Sequence, residues 1–180
     1  CNISVLAALD CPVNAAGVKG ILYLCPAKEF TTWPAFLATT GSGDSVKLTG
    51  NFDLTGAGQG KGYWRAFPCL TEKGEVSYTP VGGKGSKSLD ILGRAFVLGV
   101  DAPQLEWLKN MMNAPLVGLW PDKNGTFHVT GSKGDPAYLE EGAGTTGVAG
   151  TDERGINVAI KGNARQASLY TGTVNVTPIP

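Results

Sequence analysis

Along most of this chain, short runs of alternating apolar and polar residues end in glycine or proline. A pattern of that kind builds strands and turns and leaves little room for helices. Glycine supplies 26 of the 180 residues, about twice its usual ~7% share, and 11 prolines add to the punctuation. Gly20-Ile-Leu-Tyr-Leu-Cys25 is a compact apolar run stopped by Pro26, as a buried strand requires. Val46, Leu48, Phe52 and Leu54 alternate with polar residues, with Gly50 as a bend. Tyr63 to Phe67 forms the next strand, and Leu116 to Trp120, Thr126 to Thr130, Ile156 to Ile160 and Ala167 to Thr171 follow. Between two of these, Asp122-Lys-Asn-Gly125 is a tight-hairpin signal, because the Asn-Gly pair tolerates positive φ.

A longer hairpin is expected from Glu75-Val-Ser-Tyr-Thr79 and Ser86 to Val100, joined by the flexible tip Pro80-Val-Gly-Gly-Lys-Gly85 and projecting from the body. One segment, Asp101 to Asn113, reads as a helix. Asp101 is placed to cap it with Gln104 three residues on, Pro103 is tolerated in the first turn, and Pro115 stops it. Leu105, Leu108 and Met112, joined by Trp107 and Met111, form its expected apolar face. The fold class is therefore mainly β: a β-sandwich or barrel with one flanking α-helix and a long projecting hairpin. No internal repeat or composition break divides the chain, so an N-terminal arm, residues 1–15, precedes one β domain, residues 16–180.

Charge and chemistry narrow the function. Fifteen Lys+Arg balance fifteen Asp+Glu, which argues against a protein that wraps nucleic acid and so needs a basic surplus. No run approaches the roughly 18–20 apolar residues of a membrane helix, so no membrane partner is expected. The single histidine, His128, sits in a strand on the polar face it shares with Thr126 and Thr130, and is expected to be an ordinary surface residue. Cys1, Cys11, Cys25 and Cys69 form no C-x-x-C pair; free, mostly buried thiols are expected ahead of disulfides. Gly82-Gly-Lys-Gly-Ser-Lys-Ser88 fails the spacing of a phosphate-binding loop and joins two strands. Glu140-Glu141 cannot act on one bond if adjacent strand residues face opposite ways. The expectation is an enzyme-free chain with no catalytic residue, no metal and no cofactor.

A resemblance adds to this reading. Trp120-Pro-Asp-Lys-Asn-Gly125, Gly131, Asp135-Pro-Ala-Tyr-Leu-Glu-Glu-Gly-Ala-Gly-Thr-Thr-Gly147 and Asp152-Glu-Arg-Gly155 resemble the C-terminal block of the major tail (tail tube) proteins of phages and prophages of Bacteroidetes-type hosts. The early Ile-Leu-Tyr-Leu strand and Phe30-Thr-Thr-Trp-Pro34 are similar as well, and the likeness spans roughly residues 16 to 172. It implies a structural virion protein, assembled in the bacterial host cytoplasm, whose hexameric rings stack into the tail tube. Hairpin strands of every subunit would close an inner barrel through which DNA leaves the capsid. Its partners would be copies of itself, the tape measure, the terminator, a sheath where the tail has one, and DNA passing without specific binding.

Within that frame, Glu75, Ser77, Ser88 and Asp90 are expected to line the lumen, with Glu75 and Asp90 repelling phosphate. The tip residues Gly82, Gly83, Lys84, Gly85 and Lys87, with Ile3 and Val5 of the arm, are expected at subunit interfaces. A different class remains open: a surface or periplasmic lipoprotein anchored through Cys1, an adhesin or glycan-binding module in which Trp33, Trp64 and Trp120 stack on sugars. The apolar residues Ile3 to Leu9, directly after Cys1, favour a docking segment over a lipoprotein tether, with Cys1 left by removal of an initiator methionine.

Overall fold

The computed structural model describes residues 17–37, 43–55, 62–147 and 153–176. The arm, including Ile3 and Val5, lies outside the described residues. Among the described residues the chain is mainly β with one α-helix, and its sheets are open, so the barrel alternative does not occur there.

Seven strands form the larger sheet: β1 (Ile21–Pro26), β3 (Ala35–Phe36), β4 (Lys47–Thr49), β6 (Arg65–Pro68), β9 (Leu116–Pro121), β10 (Phe127–Thr130) and β13 (Leu169–Tyr170). Their order is β3-β4-β13-β10-β9-β1-β6. A second sheet runs β11-β12-β8-β7, from β7 (Glu75–Val81), β8 (Ser88–Leu98), β11 (Tyr138–Thr145) and β12 (Gly155–Ala164). A third pairs β2 (Phe30–Thr32) with β5 (Asp53–Leu54).

The pleat explains how the larger sheet carries two cores. All six residues of β9 are buried. Leu116 and Trp120 point to the four-stranded sheet, where they meet Ile156, Val158 and Ile160 of β12, Ala95 and Val97 of β8, and Leu22 and Leu24 of β1. Val117 and Leu119 point the other way, into an aromatic cluster with Phe30, Phe52, Trp64 and Tyr170. There Phe30, Phe52 and Trp64 contact one another edge-on at ring separations of 5.4–5.6 Å. Alternation thus lets β1 and β9 serve two cores at once.

At Gly93 the fit is tight. A Cβ there would lie 2.1 Å from the Trp120 indole, so glycine leaves the room that the ring takes beside the β8 backbone.

The helix, α1 (Ala102–Met111), closes one end of the inter-sheet core through Trp107, Leu108 and Met111, and Trp107 stacks at 4.4 Å on Phe67. The expected apolar face is corrected here: Leu105 and Met112 are exposed at 47% and 54%. The buried stripe follows the i, i+1, i+4 spacing of Trp107, Leu108 and Met111. Asp101 makes no side-chain cap; its carboxylate is held by Arg154 instead.

His128 also differs from its expectation. Its strand face is polar but turns inward to the second sheet, where Nδ1 lies 2.7 Å from the Tyr78 hydroxyl and Nε2 3.6 Å from Asp122 Oδ2. This polar tie joins β7 to β10 across the core. Cys25 and Cys69 are free, buried thiols, both pushed up to about 12 chiefly by burial; Cys1 and Cys11 lie outside the described residues.

Candidate functional site

The four-stranded sheet has one face in the core and one in solvent, and the register decides which residues share the solvent face. In antiparallel pairs, residues directly opposite one another lie on the same side. Glu75 stands opposite Arg94, Ser77 opposite Leu92, Thr79 opposite Asp90 and Val81 opposite Ser88. Glu75, Ser77, Ser88 and Asp90 therefore come together on one face, the one turned away from Val76, Ala95 and Val97 in the core. Strand β12 adds to it, since Ala159 pairs with Arg94, Lys161 with Leu92 and Asn163 with Asp90.

The two carboxylates do not stand alone on this face. Arg94 Nη1 lies 3.3 Å from Glu75 Oε1. Lys161 Nζ lies 3.1 Å from Asp90 Oδ2 and 4.0 Å from Glu140 Oε1. Asn163 Nδ2 donates to Asp90 Oδ1 at 2.7 Å and to Ser88 Oγ at 3.0 Å. The Asn163 hydrogen bond, reinforced by Lys161, holds the Asp90 carboxyl below the usual carboxylate range, and Asp90 in turn raises the Lys161 ammonium.

Arg94, Lys161 and Asn163 were not singled out in the sequence. The parity of Arg94 with Asp90 along β8 was available as a signal. Lys161 and Asn163 reach Asp90 only through a strand pairing across some seventy residues, which no local pattern encodes.

The tip Gly82–Lys87 is exposed throughout. Gly82 has φ 104°, and a Cβ on it would meet the Ser86 carbonyl at 2.4 Å, so the reversal needs glycine. Strand β12 accompanies β8 as far as Leu89, which leaves only this six-residue tip beyond the sheet. Lys84 and Lys87 have no carboxylate partner among the described residues.

The edges of this sheet are β7 and β11, of seven and eight residues, and neither has a further strand partner among the described residues. Pro80 interrupts the donors of β7 near the tip. A bulge between Leu139 and Glu141 interrupts β11 and breaks the strict alternation assumed for Glu140 and Glu141. Glu75–Thr79 and Glu141–Thr145 remain as regular free edges.

Elsewhere the residues weighed for chemistry serve packing. Trp64 and Trp120 are 1% exposed, so neither is available to stack on a sugar. Only Trp33 borders a surface groove, of about 830 Å³, with Phe36, Lys133 and Arg165. Buried Glu29 pairs with Arg65 at 2.9 Å and accepts the Gly62 N–H at 3.1 Å, which ties the end of β1 to β6. Among the described residues, no three His, Cys, Asp or Glu side chains gather as a metal site, and no helix is long and apolar enough to cross a membrane.

We compared the chain with family models, curated proteins and solved structures. It matches none of them.

Proposed function

We propose that this chain is a non-catalytic structural subunit, a β-sandwich of the tail-tube type, whose copies join through the edges of the four-stranded sheet into a ring and then a tube. One observation carries the reading: among the described residues both edges of this sheet keep a regular stretch, Glu75–Thr79 and Glu141–Thr145, that no further strand pairs with, and an unpaired edge is a template for another chain. A neighbour's β7 laid along β11 satisfies both rows of backbone groups, and repetition about an axis closes the sheet on itself. The core face then lies outside and the polar face of Glu75, Ser77, Ser88 and Asp90 lines the lumen. Because that face carries four carboxylates, Glu75, Asp90, Glu140 and Glu141, against the cations Arg94 and Lys161, a polyanion such as DNA would pass without being held. The exposed tip Gly82–Lys87 and the arm 1–15 would contact the next ring.

The order of six, the stacking, the virion location, and the tape measure, terminator and sheath as neighbours rest on the resemblance alone. The surface-lipoprotein alternative keeps only Trp33 as a stacking aromatic; lipid on Cys1, read by mass spectrometry of the native N-terminus, would revive it.

Electron microscopy of the concentrated, negatively stained chain tests the proposal. Rings or tubes are expected, and uniformly single subunits would overturn it. Deleting Gly82 to Gly85 should leave a folded subunit that no longer stacks; undiminished tubes would remove the tip from the interface.

A further inference from the structure

We propose that copies of this chain join in one register, with Ser77 of β7 opposite Ala143 of the next copy's β11. In that register Val76 and Tyr78 exchange main-chain hydrogen bonds with Gly144 and Gly142. The inference rests on the edge-to-edge reading above and names the groups that make its contact.

Direction comes first. Each neighbouring pair in the order β11-β12-β8-β7 is antiparallel, so β7 and β11 run in opposite senses. A second copy in the same orientation therefore lays its β7 antiparallel to β11.

Pro80 sets the phase. Along an antiparallel strand, the N–H and C=O groups of successive residues turn to opposite sides. Pro80 stands in the ladder opposite Leu89, and its donorless nitrogen belongs on the free edge. Val76 and Tyr78 share that phase and turn their groups outward, while Glu75, Ser77 and Thr79 turn theirs to β8. Carried through the register, Asp90, Leu92 and Arg94 bond to β7, Gly93 and Ala95 to β12, and Asn157 and Ala159 to β11. Ala143 and Glu141 are the partners of those last two, which leaves Gly142 and Gly144 facing out. Two hydrogen bonds at the far end agree. Leu70 N–H donates to the Phe96 carbonyl at 2.8 Å, on the side away from β12, and Gly99 N–H donates to the Arg154 carbonyl at 3.2 Å, on the β12 side.

The irregularities set the register. With Val76 against Gly144 and Tyr78 against Gly142, the regular stretches Glu75–Thr79 and Glu141–Thr145 match along their whole length. Pro80 then meets Glu140 at the bulge, where β11 is already interrupted. Glu75 falls opposite Thr145 and Glu141 opposite Thr79, so no two carboxylates stand directly opposed. A slide of two residues is the smallest that keeps outward groups matched. One such slide sets Glu140 of the bulge against Tyr78, and the other sets Pro80 against Gly142.

Cross-linking reads the register. Ser77 and Ala143 would form a pair without mutual hydrogen bonds, with Cα atoms about 4.5 Å apart, within disulfide range. Glu141 and Thr145 would be diagonal to Ser77, about 7–8 Å away. With Cys1 and Cys11 replaced by serine, Ser77→Cys/Ala143→Cys should oxidise into oligomers about tenfold faster than Ser77→Cys with Glu141→Cys or Thr145→Cys. A faster diagonal pair would overturn the register and leave edge joining intact. No oligomers from any pair would overturn edge joining itself.

Gly144 reads the phase. A Cβ there meets only Ile156 and Val100, at 3.6 and 3.7 Å, so Gly144→Ala should fold and form rings as the parent does. Gly144→Pro lacks the outward N–H and should fold, by circular dichroism, yet need about tenfold more protein to form rings. Undiminished rings, or a fold lost in the proline variant alone, would show that this N–H does not face the neighbour and would overturn the proposal.

Discussion

The two large sheets are finished to different degrees. The seven-stranded sheet has apolar cores on both faces and ends in short edge strands, two residues in β3 and four in β6. Its β6 side is further tied down by the Cys69–Val97 and Trp64–Val176 bridges. The four-stranded sheet packs one face, leaves the other to solvent, and ends in two edges of seven and eight residues. Long free edges are a hazard for a solitary protein. The contrast teaches that the first sheet is packed on both faces within the subunit, while the second keeps unpaired edges among the described residues, the ones the proposed assembly would use.

The largest effects should come from the finished side. Trp120→Ala removes a side chain that spans the inter-sheet core and should cost about 3–5 kcal/mol, read as a fall in the urea midpoint. A loss below about 1 kcal/mol would mean that the two sheets are not joined as described. Gly93→Ala drives a methyl into the Trp120 indole and should cost about 1–3 kcal/mol, more than Gly83→Ala at the open tip, where a Cβ meets nothing within 4 Å. Tyr78→Phe breaks the tie to His128 and should cost about 1 kcal/mol, with the thermal midpoint falling by a few degrees.

On the unfinished side, effects on stability should be small. Glu75→Gln, an exposed pair, should change stability by less than about 0.5 kcal/mol. Asp90 offers a finer probe, because its folded pKa lies below the unfolded one. The favourable contribution of its pairing is present above the ordinary aspartate range and is lost as pH falls through the depressed value. A carboxyl-carbon NMR titration should place the Asp90 midpoint below the usual value, and Asn163→Ala should move it back up. An unshifted midpoint in the parent would remove the Asn163–Asp90–Lys161 cluster from the account.

Strand positions were legible because burial on one or two faces writes alternation into the chain. Glu75–Thr79, Leu116–Trp120 and Ile156–Ile160 all lie within strands as read, and Asn124-Gly125 does reverse a hairpin, with φ 92° at Gly125. Strand β11 was legible only at Glu140-Glu141, and its full extent to Thr145 was not. Its Gly142 and Gly144 suggest a loop, yet Gly142 is small because Leu108 of the helix packs against it: a Cβ would lie 2.6 Å from Leu108 Cδ1. The inward turn of His128 was hidden for a related reason, since a polar strand face looks the same whether it meets water or a tyrosine from another sheet. The candidate face was half legible. Parity grouped Glu75 with Ser77 and Ser88 with Asp90, but the cations that neutralise them come from register, a long-range property.

Edge-to-edge joining can be tested directly by cysteine cross-linking. With Cys1 and Cys11 replaced by serine, Ser77→Cys on β7 is combined in turn with cysteine at Glu141, Ala143 or Thr145 on β11. Within one subunit the two edges are three strand spacings apart, about 14 Å, too far for a disulfide, so any bond must join two copies. On mild oxidation at least one pair should give a ladder of covalent oligomers that ends at a closed ring; if all three pairs run only as single subunits, the four-stranded sheet is not continued from copy to copy.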